Sequence, residues 1–169
     1  ALAPVIDSLA PEGSLVLEMT NDAFLPKSPA RSTYLERLVI ALEDEYGLSL
    51  MDRLIWSNPS KPPAPIQWSS KKRVQLNVGY EPVLWFAKDP SRVKSDNRRV
   101  LEPHTSRQAE LIAAGGEQRT ASYGDGAYRL RRGSFGQATP GRIPRNVISR
   151  GRRCPWGDRY RKEAGELGL

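Results

Sequence analysis

The sequence predicts an α/β fold whose first half holds strands of a parallel sheet and whose second half is irregular and rich in arginine. Three observations carry this expectation. An apolar run, an amphipathic stretch and a second apolar run follow one another between residues 13 and 57, the order of a crossover unit. A third apolar run closes at Ala87. The charge then changes sign: residues 1–90 carry 9 Lys/Arg and 11 Asp/Glu, net −2, whereas residues 91–169 carry 17 Lys/Arg and 8 Asp/Glu, net +9. This sets a boundary near residue 90, with an α/β domain over 1–90 and an Arg-rich region over 91–169.

Gly13–Thr20 reads as the first strand, a short apolar run opened by the turn residues Pro11-Glu12-Gly13. Beyond Pro26 and Pro29, Thr33 and Glu36 have the spacing of a capping box. Leu35, Leu38, Val39, Leu42 and Tyr46 then recur on one helical face, and Gly47 stands where a left-handed cap ends the helix. Leu48–Trp56 is the second strand, expected to place Leu50, Leu54 and Trp56 on one face. Residues 57–65 hold four prolines and must be a loop at that strand's carboxyl end, the edge at which open α/β sheets bind ligands. Lys61 is its only charge, and it either meets a phosphate or stays solvated. Pro82–Ala87 is the third strand. Trp56 and Trp85, each inside an apolar strand, read as core in preference to base-stacking residues.

Several function classes are excluded. No apolar run exceeds five residues, far short of the roughly 20 a membrane helix needs. Cys154 is the only cysteine and His104 the only histidine, so there is no internal disulfide and no Cys/His zinc set, and neither residue has partners at catalytic spacing. Cytoplasmic residence is the default. The opening Ala1-Leu2-Ala3-Pro4 is not a signal peptide and reads as a processed protein or a piece of a longer one.

In the second half, 15 of the 17 cations are Arg, whose planar fork suits phosphates and base edges better than solubility alone requires. Tyr128–Gly136 alternates Arg129, Arg131 and Arg132 with apolar or aromatic residues, among glycines that make the segment flexible. A second cluster comprises Arg142, Arg145, Asn146, Arg150, Arg152 and Arg153, in which Arg can pair with guanine and Asn with adenine. Most such contacts go to phosphates. The bland alternative is a solvated basic tail. Apart from a helix-like stretch at Arg107–Ala113, apolar residues are few, so the region is expected to need DNA or further segments to hold it.

The order of these pieces carries a resemblance. A Pro-Glu-Gly-Ser strand, a helix, a strand ending Ile55-Trp56 before the Lys61 loop, then Gly79-Tyr80-Glu81-Pro82-Val83-Leu84-Trp85-Phe86-Ala87-Lys88 resembles the bacterial and phage DNA amino-methyltransferases of the N-4/N-6 type. Gly141-Arg142-Ile143-Pro144-Arg145-Asn146-Val147 is similar to a stretch beside that family's target-recognition region. The likeness covers residues 8–105 and 140–169. It implies a Rossmann-like domain, S-adenosylmethionine as methyl donor, the exocyclic amine of adenine or cytosine in double-stranded DNA as acceptor, and a restriction endonuclease as a further partner. Tyr80 and Glu81 match the family's Tyr-Glu pair beside the target-base pocket, with Lys61 nearby; otherwise Tyr80 packs on the core and Glu81 is exposed. Two family motifs, the Asp/Ser/Asn-Pro-Pro-Tyr/Trp catalytic tetrapeptide and the Phe-x-Gly-x-Gly cofactor loop, occur nowhere in the 169 residues. The chain therefore reads as an internal segment without catalytic residues, inactive alone, whose cofactor is bound mainly by other segments. The alternative is a non-enzymatic basic nucleic-acid-binding protein.

Overall fold

Leu15, Leu84 and Phe86 on strands, Val39 and Leu42 on a helix, and Ile6 and Leu48 beside them form one buried cluster, and the elements are arranged to cover it. The computed structural model describes residues 2–124, 128–151 and 155–166. In chain order its regular elements are α1 (Ala3–Asp7), β1 (Ser14–Glu18), α2 (Tyr34–Asp44), β2 (Ser49–Ser57), β3 (Tyr80–Ala87), α3 (Ser106–Ala113), β4 (Ala121–Tyr123), β5 (Tyr128–Leu130), β6 (Val147–Ser149) and α4 (Pro155–Glu166). Among the described residues no helix is long and apolar enough to cross a membrane. The chain forms two compact units, Ala1–Lys94 with Asn146–Leu169, and Ser95–Arg145.

In the first unit the strand order is β1-β3-β2-β6. β3 is antiparallel to both neighbours and β2 is parallel to β6, so β1, β2 and β6 run one way and β3 the other. The α/β reading thus holds with a mixed sheet, only partly parallel. The expected crossover from β1 through α2 to β2 does join two strands of the same direction, but they are not neighbours, because β3 lies between them. β3 suits that central place: apart from Tyr80 it is buried or half-buried along its whole length, the pattern of a strand covered on both sides.

Three smaller expectations are corrected. The register of β2 on β3 slips between Leu50 and Asp52, so that one extra residue is accommodated there. Because side chains alternate, the slip separates Leu50, paired with Phe86, from Leu54 and Trp56, paired with Val83 and Glu81. Leu50 packs on the core, and the other two fall on the opposite face. The capping box is not made: Thr33 precedes α2, but its side chain forms no cap hydrogen bond. Tyr46 is exposed, while Leu35, Leu38, Val39 and Leu42 face the core. The C-terminal end follows expectation, with Gly47 at φ +63° and its N–H bonded to the Glu43 carbonyl.

Nor does the Arg-rich region run unbroken from residue 91. Val147–Ser149 joins the sheet beside Ile55–Ser57. Residues 95–145 hold structure of their own, with α3, the antiparallel β4–β5 ribbon and an isolated bridge between Glu102 and Arg142. Apolar burial in this unit is sparse; Leu130 is its one hydrophobic side chain below a tenth exposed among the described residues.

Candidate functional site

The carboxyl ends of β1 and β2 lie at the same edge of the sheet as the start of β3, since β3 runs against them. Residues 19–22, 57–61 and 80–81 meet there, and the backbone ties them: Met19 N–H donates to the Pro82 carbonyl and Asn58 N–H to the Gly79 carbonyl. Asn58 is buried, and its Oδ1 accepts from Ser60 N–H at 3.1 Å and Ser60 Oγ at 3.0 Å, folding the chain into a turn. That turn, closed by Lys61 N–H on the Asn58 carbonyl, sends the Lys61 side chain back over the sheet.

Lys61 Nζ pairs there with Glu81 Oε1, their side chains 12% and 8% exposed. The other carboxylate oxygen, Oε2, accepts from Asn21 N–H at 3.0 Å. One carboxylate therefore fastens the loop after β2 and the loop after β1 to the start of β3. Tyr34, first residue of α2, donates its hydroxyl to the Thr20 carbonyl. Burial, and then the nearby negative charge of Glu81, push the Tyr34 phenol above its ordinary pKa. Arg31 donates to the Asn21 carbonyl and lies 4.8 Å from the centre of the Phe24 ring, a cation–π contact. Asp22 Oδ1 is buried without a hydrogen-bond partner among the described residues.

Two cavities open along this edge, both bordered by Asn21. One, of about 150 Å³, lies against Thr20, Arg31 and Tyr34. The other, of about 260 Å³, lies between α2 and the sheet against Leu35, Val39, Arg53, Tyr80 and Leu84. Of the three residues expected at a target-base pocket, Lys61 and Glu81 are joined, and Tyr80 stands next to them, 40% exposed and bordering the larger cavity. Neither cavity has a glycine-rich turn, so these residues do not by themselves cradle a nucleotide-like cofactor. Asn21, Arg31, Tyr34 and Asn58 were not singled out from the sequence. A polar Asn following an apolar strand, twice over (Asn21 and Asn58), was the signal present.

Trp56 and Trp85, expected in the core, are instead half-buried outside the core cluster, where their indole N–H groups donate to the Arg150 carbonyl at 2.8 Å and Ser14 Oγ at 3.0 Å. Asn146 is at a strand junction: its carbonyl accepts from Ile55 N–H, and its Nδ2 donates to Asp52 Oδ1 at 3.1 Å. Arg150 N–H donates to the Ser57 carbonyl. Arg152, Arg153 and Cys154 lie outside the described residues.

In the second unit the arginines are exposed, and four of the nine are paired with carboxylates. Arg98 grips Asp96 through Nε and Nη2 at 2.8 and 2.9 Å. Arg107 and Arg119 flank Glu117, each at 3.7 Å. Arg142 pairs with Glu102 and donates to the Pro103 carbonyl. Arg129, Arg131, Arg132 and Arg145 are exposed. His104 meets Thr139 through Nε2, 2.9 Å from the Thr139 carbonyl.

No family model matches the chain. The chain is 34% identical over 140 residues to the Type II methyltransferase M.PvuII of Proteus hauseri, a match covering 83% of this chain and 41% of that protein. The solved PvuII DNA methyltransferase, described as cytosine-N4-specific, superposes with a TM-score of 0.60 and 25% identity over 98% of this chain and 44% of that one. The chain thus spans about two-fifths of the length of the curated relative it matches. Sequence and fold agree: the chain is homologous to a segment of a type II DNA methyltransferase.

Proposed function

We propose that the chain is part of a DNA methyltransferase that uses S-adenosylmethionine to methylate an exocyclic amine, N4 of cytosine or N6 of adenine, within double-stranded DNA. Cytosine is favoured by the specificity stated for the PvuII enzyme. The observation that carries the reading is the Lys61–Glu81–Asn21 tie at the carboxyl edge of the sheet, in a chain homologous to such an enzyme. S-adenosylmethionine would supply an electrophilic methyl group on its sulfonium, the amine nitrogen forming the N–C bond as the S–C bond breaks, with S-adenosylhomocysteine as leaving group and a proton lost from the amine.

An exocyclic amine is a weak nucleophile because its lone pair is delocalised into the ring, so catalysis depends on orientation. The base must also leave the stack to be reached. The residues here build one wall for that purpose. Glu81 holds two loops against β3, and Tyr34 and Arg31 pin the loop after β1, so the edge is set before a base arrives. Residues 95–145 and the exposed arginines act in DNA recognition, and a restriction endonuclease is the companion this reading suggests. Incubation of the full-length protein with methyl-labelled S-adenosylmethionine and duplex DNA, followed by nucleoside analysis, should yield N4-methylcytosine. Label in N6-methyladenine would move the acceptor to adenine, and absence of label in DNA would refute the reading.

A further inference from the structure

We propose that Arg129, Arg131 and Arg132 form a preorganised ridge on the 95–145 unit that reads duplex DNA, with Arg129 discriminating a base pair and Arg132 holding a phosphate. The inference rests on the methyltransferase reading only for its partner, DNA. Its basis is the division of the arginines. Four in this unit, Arg98, Arg107, Arg119 and Arg142, are engaged by Asp96, Glu117 and Glu102. Arg99, Arg145 and the three of the ridge have no carboxylate partner among the described residues, and of these five only the ridge arginines stand on the β4–β5 ribbon and the turn that follows it.

The backbone beneath them is hydrogen-bonded on both sides, where the glycines of this segment had suggested flexibility. β4 and β5 pair as a two-stranded antiparallel ribbon with Ser122 opposite Arg129. Leu130 is 4% exposed and points inward, so by alternation Arg129 and Arg131 point outward. A two-stranded ribbon is narrow enough to enter the major groove, and Arg129, exposed and opposite the small Ser122, carries the fork that fits guanine O6 and N7. After the ribbon the chain turns through Arg131–Ser134. Ser134 N–H closes the turn on the Arg131 carbonyl at 2.9 Å, Arg131 N–H donates to Ser134 Oγ at 3.0 Å, and Gly133 takes φ +83°. Arg132 is at the tip.

This turn is clamped to the segment that follows α3. Glu117 N–H donates to the Ser134 carbonyl and Gly133 N–H to the Glu117 carbonyl, both at 2.8 Å. The backbones touch so closely that a Cβ on Gly116 would strike the Gly133 carbonyl. Glu117, placed by these bonds, is the carboxylate that holds Arg107 and Arg119. The same residue thus anchors the turn through its backbone and holds two other arginines through its carboxylate. Preorganisation of this kind lowers the ordering cost of binding.

The test selects binding sites for the full-length protein from a randomised duplex library and measures affinity over a range of salt. Arg129→Lys keeps the charge and loses the fork; it should leave the salt dependence unchanged and lower discrimination at one base pair by roughly tenfold or more. Arg132→Gln should weaken all sequences alike and reduce the salt slope by about 0.9. An unchanged selected sequence with Arg129→Lys, in a protein whose wild type still methylates DNA, overturns the ridge and leaves the methyltransferase reading intact. A wild type that methylates no DNA overturns that reading, and selection of a defined sequence by the same protein, lost with Arg129→Lys, would still support the ridge. Retained circular dichroism of both variants establishes that the losses are not unfolding.

Discussion

Glu81 enters β3 with its carboxylate almost out of water, and two partners make that placement tolerable: the Lys61 ammonium on one oxygen and Asn21 N–H on the other. Removing one member of such a pair leaves an uncompensated buried charge. Lys61→Met should therefore destabilise the protein by about 3 kcal/mol in urea unfolding, and Lys61→Met with Glu81→Leu by clearly less, since the double change removes both charges. A double variant as unstable as the single one would show that the pair is not the source of the loss. Tyr34 adds a pH dependence. Its phenol pKa is raised in the folded state, by burial and then by Glu81, so its contribution is intact below the unfolded value of about 10 and is lost as pH rises through the folded value. Ultraviolet titration of phenolate should show one late-ionising tyrosine that disappears in Tyr34→Phe. The chemistry of Lys61 and Glu81 was legible as residue types beside strands. Their contact was not, because a pairing over 20 residues of sequence depends on how the intervening loop turns, and Asn58 sets that turn.

At the scale of the element, hydrophobic spacing located β1, α2, β2 and β3 because each carries its own periodic signal. Strand order carries none: β3 is inserted between β1 and β2 by pairing that only the folded chain reveals. The bulge in β2 is invisible for the same reason, and it reverses the face of every residue after it. Caps are a similar case, since Thr33 has the favoured spacing and makes no bond, whereas Thr105 accepts from Gln108 N–H through Oγ1 at 3.3 Å and starts α3. The expected outcome separates geometry from motif. Thr105→Ala should cost about 1 kcal/mol, and Thr33→Ala no more than about 0.5 kcal/mol, when the stability of the two is compared by chemical denaturation. The reverse ranking would mean that Thr33 supports α2 in some way other than a cap bond.

For the whole molecule, the change of charge sign near residue 90 and the preference for arginine beyond it located the residues that we propose read DNA. What composition could not distinguish is which arginines are already spent on carboxylates, since Asp96, Glu102 and Glu117 are spread over 21 residues of sequence and act on arginines up to 40 residues away. That distinction has a thermodynamic signature. Binding to duplex DNA releases about 0.9 counterion for each phosphate neutralised, so the slope of log affinity against log salt counts the cations that engage. If each of the three ridge arginines displaces counterions, the slope for the full-length protein should be no shallower than about −2.7. Arg98→Gln should leave it unchanged, because Arg98 already serves Asp96, whereas Arg132→Gln should reduce it by about 0.9. Fluorescence anisotropy of a labelled duplex over increasing sodium chloride measures all three values. Equal losses from Arg98→Gln and Arg132→Gln would mean that the ion pair opens on DNA and that every arginine of the unit counts. A slope near zero would remove electrostatic DNA binding from the protein altogether.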